Sequence, residues 1–100
     1  MYKLVALYTQ PADPAAFEKH YREVHRPLVE RIPGLAKVVV NRGVEPPRGG
    51  APAYYLMGEM HFADEAMFKA AMASPEMAAA GKDLRNFAPG IVTLVAVRED

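Results

Sequence analysis

Residues 2 to 9 carry apolar or aromatic side chains at nearly every position before Gln10-Pro11 breaks the run, the pattern of a strand buried on both faces. Asp13-Pro14 then offers a helix N-cap followed by proline at the first helical position, where its missing N–H costs nothing and its fixed φ suits the helix. From there Phe17, Tyr21, Val24 and Leu28 recur at spacings of four, three and four and form one apolar stripe, which runs on to Ile32 before Pro33-Gly34 ends it. A helix over residues 14–31 would be about 27 Å long. Pro27 falls inside it, removes a backbone donor and clashes with the carbonyl of Glu23, so the helix is expected to bend there.

Leu35 to Val44, with Val38-Val39-Val40 at its centre, reads as a second strand, and the three prolines and two glycines of Glu45 to Ala53 as a loop. A third strand is expected over Tyr54 to Phe62. Asp64 caps a second helix with Phe68, Ala71 and Met72 inward, and Ser74-Pro75 starts a short helix that ends near Gly81, with Asp83 to Phe87 continuing the helical region. After Pro89-Gly90 the β-branched run Ile91 to Val97 reads as the fourth strand.

The order βαββαβ over a single domain, residues 1–100, predicts an α+β, ferredoxin-like fold: a four-stranded antiparallel sheet with both helices on one face. The other face is then bare. Strand one offers Tyr2, Leu4, Ala6 and Tyr8 on one side and Val5 and Leu7 on the other, and strand four is apolar on both sides, so neither side is expected to be polar. A second copy of the chain is expected to cover the bare face, giving a sheet-to-sheet homodimer.

With 51% hydrophobic and 24% charged residues the chain buries a core and is not disordered. Twelve basic residues balance twelve acidic ones without a basic cluster, which argues against nucleic acid or a membrane surface as partner. No apolar stretch approaches the roughly 20 residues of a membrane span, and the first residues do not form a signal peptide. The absence of cysteine excludes a disulfide framework, a thiolate nucleophile and a sulfur-based zinc site. A soluble, cytoplasmic protein without a metal is the expectation.

No phosphate-binding loop, dinucleotide turn, zinc-protease helix or calcium loop is present. His20 and His25 lie five positions apart on the first helix, about 140° around an α-helical axis, and are not expected to chelate one metal together. His25 is the better placed, beside Tyr21 at a spacing of four and next to the bend at Pro27. On the third strand Tyr54, Leu56, Gly58, Met60 and Phe62 are expected to face the helices, with Gly58 leaving room for a ligand or a close helix. Tyr55, Met57, Glu59 and His61 face the other way, where Glu59 and His61 suit an interface pair, with an acid–base pair as the alternative. Tyr8 and Tyr54 add phenol groups near the space between sheet and helices, and five of the six methionines fall between Met57 and Met77, adaptable lining for an apolar guest or core filling.

Phe17, His20-Tyr21, His25-Arg26-Pro27-Leu28 and Pro33-Gly34-Leu35, followed by an aromatic third strand and a late Asp83…Phe87 pair, resemble the EthD family of the dimeric α+β barrel superfamily over nearly the whole chain. The resemblance implies a ferredoxin-like subunit whose dimer forms a barrel, with a pocket between each subunit's own sheet and helices. It places the family's histidine on His25. The superfamily includes cofactor-free monooxygenases, lactone isomerases and haem enzymes, so the fold alone chooses no reaction.

Together these readings predict a cofactor-independent enzyme acting on an apolar or aromatic oxygenated small molecule by proton transfer, or by oxygenation of the carbanion so formed. His25 is the expected base and outranks His20 and His61, with Tyr8, Tyr21, Tyr54, Leu56 and Met60 lining the substrate site. The alternatives are a non-catalytic carrier of a hydrophobic small molecule and a haem protein with His25 as axial ligand.

Overall fold

The computed structural model describes residues 1–100. Its strands are β1 (Tyr2–Tyr8), β2 (Leu35–Arg42), β3 (Leu56–Phe62) and β4 (Val92–Arg98), and its helices α1 (Pro14–His20), α2 (Arg26–Glu30), α3 (Glu65–Met72) and α4 (Pro75–Phe87). The strands form one antiparallel sheet in the order β2-β3-β1-β4, the ferredoxin-like arrangement. The three capping signals act as the sequence suggests. Asp13 and Asp64 accept from the backbone N–H groups of Ala16 and Met67 at 3.1 and 2.9 Å, and the Ser74 hydroxyl accepts from Met77 N–H at 3.1 Å.

Several element ends differ from expectation: β2 stops at Arg42 instead of Val44, and two others move residues named above. β3 starts at Leu56, so Tyr54 lies outside it and is 40% exposed instead of facing the helices. Gly43 is the reason: a Cβ there would stand 1.6 Å from the carbonyl oxygen of Tyr54, an approach only glycine permits and one that ends regular pairing at this corner. At the other end, α4 passes through Gly81 to Phe87. A glycine ends a helix by turning left-handed, and Gly81 keeps a negative φ. Burial of Ala80, Asp83 and Leu84 on either side holds it in the helix.

The largest departure lies between α1 and α2. Residues Tyr21–His25 form a π-helical turn, closed by the backbone N–H of Arg26 donating to the carbonyl of Tyr21. Pro27 explains the local geometry, since it has no N–H to give Glu23 and its ring crowds that carbonyl; the widened turn absorbs the clash without breaking the rod. One extra residue in the turn moves the inward stripe. The buried positions are Phe17, Tyr21, His25, Val29 and Ile32, while Val24, expected inside, is 42% exposed.

Under the helices the core forms two clusters. One joins Leu4, Met60 and Phe62 to Val29, Ile32, Ala71 and Ala80; the other joins Tyr8 and Leu56 to Phe17, Tyr21, Leu84 and Ala88. The open face is not wholly apolar, contrary to the reading of β1 and β4 alone. Val5, Val95 and Val97 share it with Lys3, Asn41, Glu59 and His61. These polar groups pair with one another: Glu59 accepts from Asn41 at 2.7 Å and contacts His61 Nε2 at 3.1 Å and Lys3 Nζ at 3.7 Å. No helix is long and apolar enough to cross a membrane.

Candidate functional site

The π-turn changes which side chains meet. In an α-helix His20 and His25 would diverge by about 140°, but a turn closed between residues five apart brings them to one side. Both reach Asp83 of α4. His20 Nε2 lies 2.8 Å from Oδ1 of its carboxylate and His25 Nδ1 lies 3.0 Å from Oδ2, so one carboxylate carries an imidazole on each oxygen. The expectation that these two histidines diverge by about 140° around the helix axis is corrected by this geometry.

Phe87, one helical turn beyond Asp83 and on the same side of α4, closes over the pair. Its ring stacks on His20 with centroids 4.6 Å apart and lies 5.0 Å from His25. Tyr21 stands 5.7 Å from His25, and Tyr8 meets Tyr21 edge-on at 5.9 Å. Tyr8, Tyr21, Leu56 and His25 are thus brought together from three elements. Met60 belongs to the other core cluster and Tyr54 to the exposed corner, so neither joins them.

Burial decides the charge states. His25 is 4% exposed and its pKa is lowered, because burial penalises the imidazolium more than the hydrogen bond and charge of Asp83 favour it, with His20 adding repulsion. The phenol of Tyr8 is pushed up by burial, then by Tyr21 and Asp83; that of Tyr21 is raised by burial against the opposing charges of Arg26 and Arg42. Both phenols therefore keep their protons at neutral pH. An ionised carboxylate only accepts, so Nε2 of His20 and Nδ1 of His25 are the nitrogens that donate to Asp83. That leaves Nδ1 of His20 and Nε2 of His25 with lone pairs, the form a general base requires.

Gly58 positions Tyr21. A Cβ on Gly58 would stand 3.0 Å from the Tyr21 hydroxyl, so the missing side chain admits a helix residue. Gly58→Ala is expected to displace the Tyr21 hydroxyl by a few tenths of an ångström, read as a shift of the Tyr21 ring signals by NMR with the fold retained. Farther out, Arg42 pairs bidentately with Glu18, which also accepts from the Tyr55 hydroxyl at 2.5 Å. This network fastens α1 to the end of the β2–β3 pair.

The sequence singles out His25 as the base and offers His20 and Asp83 only as parts of the family-like pattern, without a role in the site. A signal for Asp83 was present: it sits between Ala80 and Leu84 on the inward stripe of α4, where an unpaired carboxylate would be costly. His20 had no such signal, because its direction depends on the π-turn.

The EthD domain profile matches residues 9–90. An uncharacterised 11.0 kDa protein of Rhodococcus erythropolis, encoded in the thcB-thcC intergenic region, is 37% identical over 100 residues, covering 100% of this chain and 96% of that protein. The crystal structure of an EthD family protein from Bacillus halodurans is 43% identical, covers 100% of this chain and 99% of that one, and superposes with a TM-score of 0.92. Streptomyces nogalater SnoaB, a cofactor-independent oxygenase, is 19% identical with a TM-score of 0.63, covering 99% of this chain and 94% of that one, and shares the fold. With a profile match from the end of β1 to the turn before β4 and relatives of matching length, the chain belongs to the EthD family.

Proposed function

We propose that this protein is a cofactor-independent enzyme that moves a proton on an apolar or aromatic oxygenated small molecule, with the His20–Asp83–His25 unit as its acid–base group. One observation carries the reading: a buried imidazole, His25, is oriented by a carboxylate that a second imidazole also engages. Such a unit takes one proton from an acidic O–H or α-carbonyl C–H, and the resulting imidazolium lies against Asp83. Tyr21, with its proton retained, is the nearby donor for the enolate oxygen. The carbanion then regains a proton at another position or reacts with dioxygen. SnoaB, a cofactor-independent oxygenase on this fold, lends support to that second course. As an axial haem ligand His25 fits poorly, since Tyr21, Phe87 and Asp83 enclose it.

The working form in this reading is a homodimer, because the open sheet face exposes Val95 and Val97 at 37% and 41% beside Val5. Self-paired polar groups around those valines suit a surface that meets its own copy.

The test uses 2-tetralone, an aromatic ketone with exchangeable α-protons, in D2O. Wild type is expected to speed deuterium uptake at C1, seen by NMR, and His25→Gln to lose about tenfold or more of the effect while remaining folded. Uptake no faster than in imidazole buffer, or equal in His25→Gln, overturns the reading. Acid has a defined effect as well. The folded value of His25 lies below the roughly 6.5 of an unfolded histidine, so the unfolded chain binds more protons between the two. The stability His25 contributes is complete above about pH 6.5 and is lost as pH falls through that window. Thermal melts of wild type should show this acid slope, and His25→Gln should flatten it.

A further inference from the structure

A cleft of about 410 Å³ opens between the start of α1, the end of α4 and the segment leading into β4. Ala16, Phe17, Phe87, Pro89 and Ile91 line it, and His20 reaches it from the acid–base unit. The volume lies within the range of small-molecule sites, and the walls are largely aromatic and aliphatic, as such sites require. Asp13, at the rim, already spends its carboxylate on the backbone N–H of Ala16. His20 differs. Its Nε2 is fixed on Asp83 and its ring is stacked on Phe87, so its orientation is set while its Nδ1 carries no protein partner. The side chain is 27% exposed, against 5% for that of His25.

We propose that this cleft binds a planar aromatic or enol ring bearing a hydroxyl, with the ring against Phe17, Phe87 and Ile91 and the hydroxyl donating to Nδ1 of His20. The chemistry follows from the tautomer. With Nε2–H given to Asp83, Nδ1 accepts, so it selects a ligand that brings an O–H over an ether or ester of the same shape. In the proton-transfer reading, on which the reactive role of the hydroxyl rests, the O–H bond breaks as Nδ1–H forms. The electron pair stays on the ligand oxygen, and the imidazolium is held by Asp83, itself held by His25. His20 is then the catalytic residue that touches substrate, and His25 the positioning residue that holds the carboxylate in place.

The test reads binding, with 2-naphthol and its methyl ether as probes and protein carrying 13C-labelled histidine. 2-Naphthol is expected to shift the His20 ring signals and to bind about tenfold more tightly than 2-methoxynaphthalene, the worth of one hydrogen bond. His20→Leu should erase that difference. Ala16→Phe, at an exposed position whose new ring fills the cleft, should weaken both probes at least tenfold without altering the melt. Equal affinity for the two probes in wild type, shifts at His25 without His20, or full binding by Ala16→Phe overturns the cleft. If 2-tetralone exchange is catalysed and 2-naphthol fails these criteria, the cleft falls and the acid–base unit stands; the reverse pattern marks a binding site whose imidazoles do no chemistry.

Discussion

Asp83→Asn is expected to lower catalysed deuterium uptake into 2-tetralone by about 10²- to 10⁴-fold, the range in which general bases and their orienting carboxylates act. The carboxylate accepts from two imidazoles at once. An amide accepts through its oxygen but must donate through its nitrogen, so one imidazole is forced into the other tautomer and an imidazolium beside it loses its counter-charge. Shape is nearly unchanged, which keeps the fold: the hydrophobic partners of α4, Ala80 and Leu84, stay buried as they are. Exchange catalysed by Asp83→Asn within a few fold of wild type would remove the unit from the chemistry. Histidine ring signals should move in the same variant, because both rings lose a charged acceptor.

The second large effect concerns assembly. Val5→Asp should shift the solution mass from that of two chains to that of one, 11.0 kDa, or precipitate the protein. Val5 lies in β1, between β3 and β4, opposite Glu59 on one side and Val95 on the other. Val5 is itself only 8% exposed within one subunit, so the new carboxylate burdens the sheet as well as the interface; an uncompensated buried charge costs about 3–5 kcal/mol, several hundredfold or more in dissociation constant, and a circular dichroism melt of the variant separates dissociation from unfolding. Val24→Asp is the control, since Val24 is exposed on the helical side, away from the sheet. Light scattering that gives one chain's mass for wild type at micromolar concentration would remove the dimer.

Much of this architecture was legible because it is written in local signals. Asp13-Pro14, Asp64 and Ser74-Pro75 each start a helix where they predict one, since a cap depends on atoms within three residues of itself. Strand identities and the inward set Leu56, Gly58, Met60 and Phe62 follow from the period of two, and burial confirms them. Gly58 was flagged as a place of close approach, and the Tyr21 hydroxyl is what approaches.

The order βαββαβ, the caps, the buried faces of β1 and β3 and the family-like motif around His25 were thus determined by the sequence itself. Tertiary structure decided the rest. Pro27 announces a disturbed helix, but whether it kinks or widens into a π-turn depends on how the rod packs, and that choice moved the stripe from Val24 and Leu28 to His25 and Val29. The same single-residue shift brought His20 and His25 to one carboxylate on a helix 58 residues away from His25. Periodicity assumes a constant turn and reads only neighbours along the chain, so a meeting made by an irregular turn and a distant helix lies beyond it.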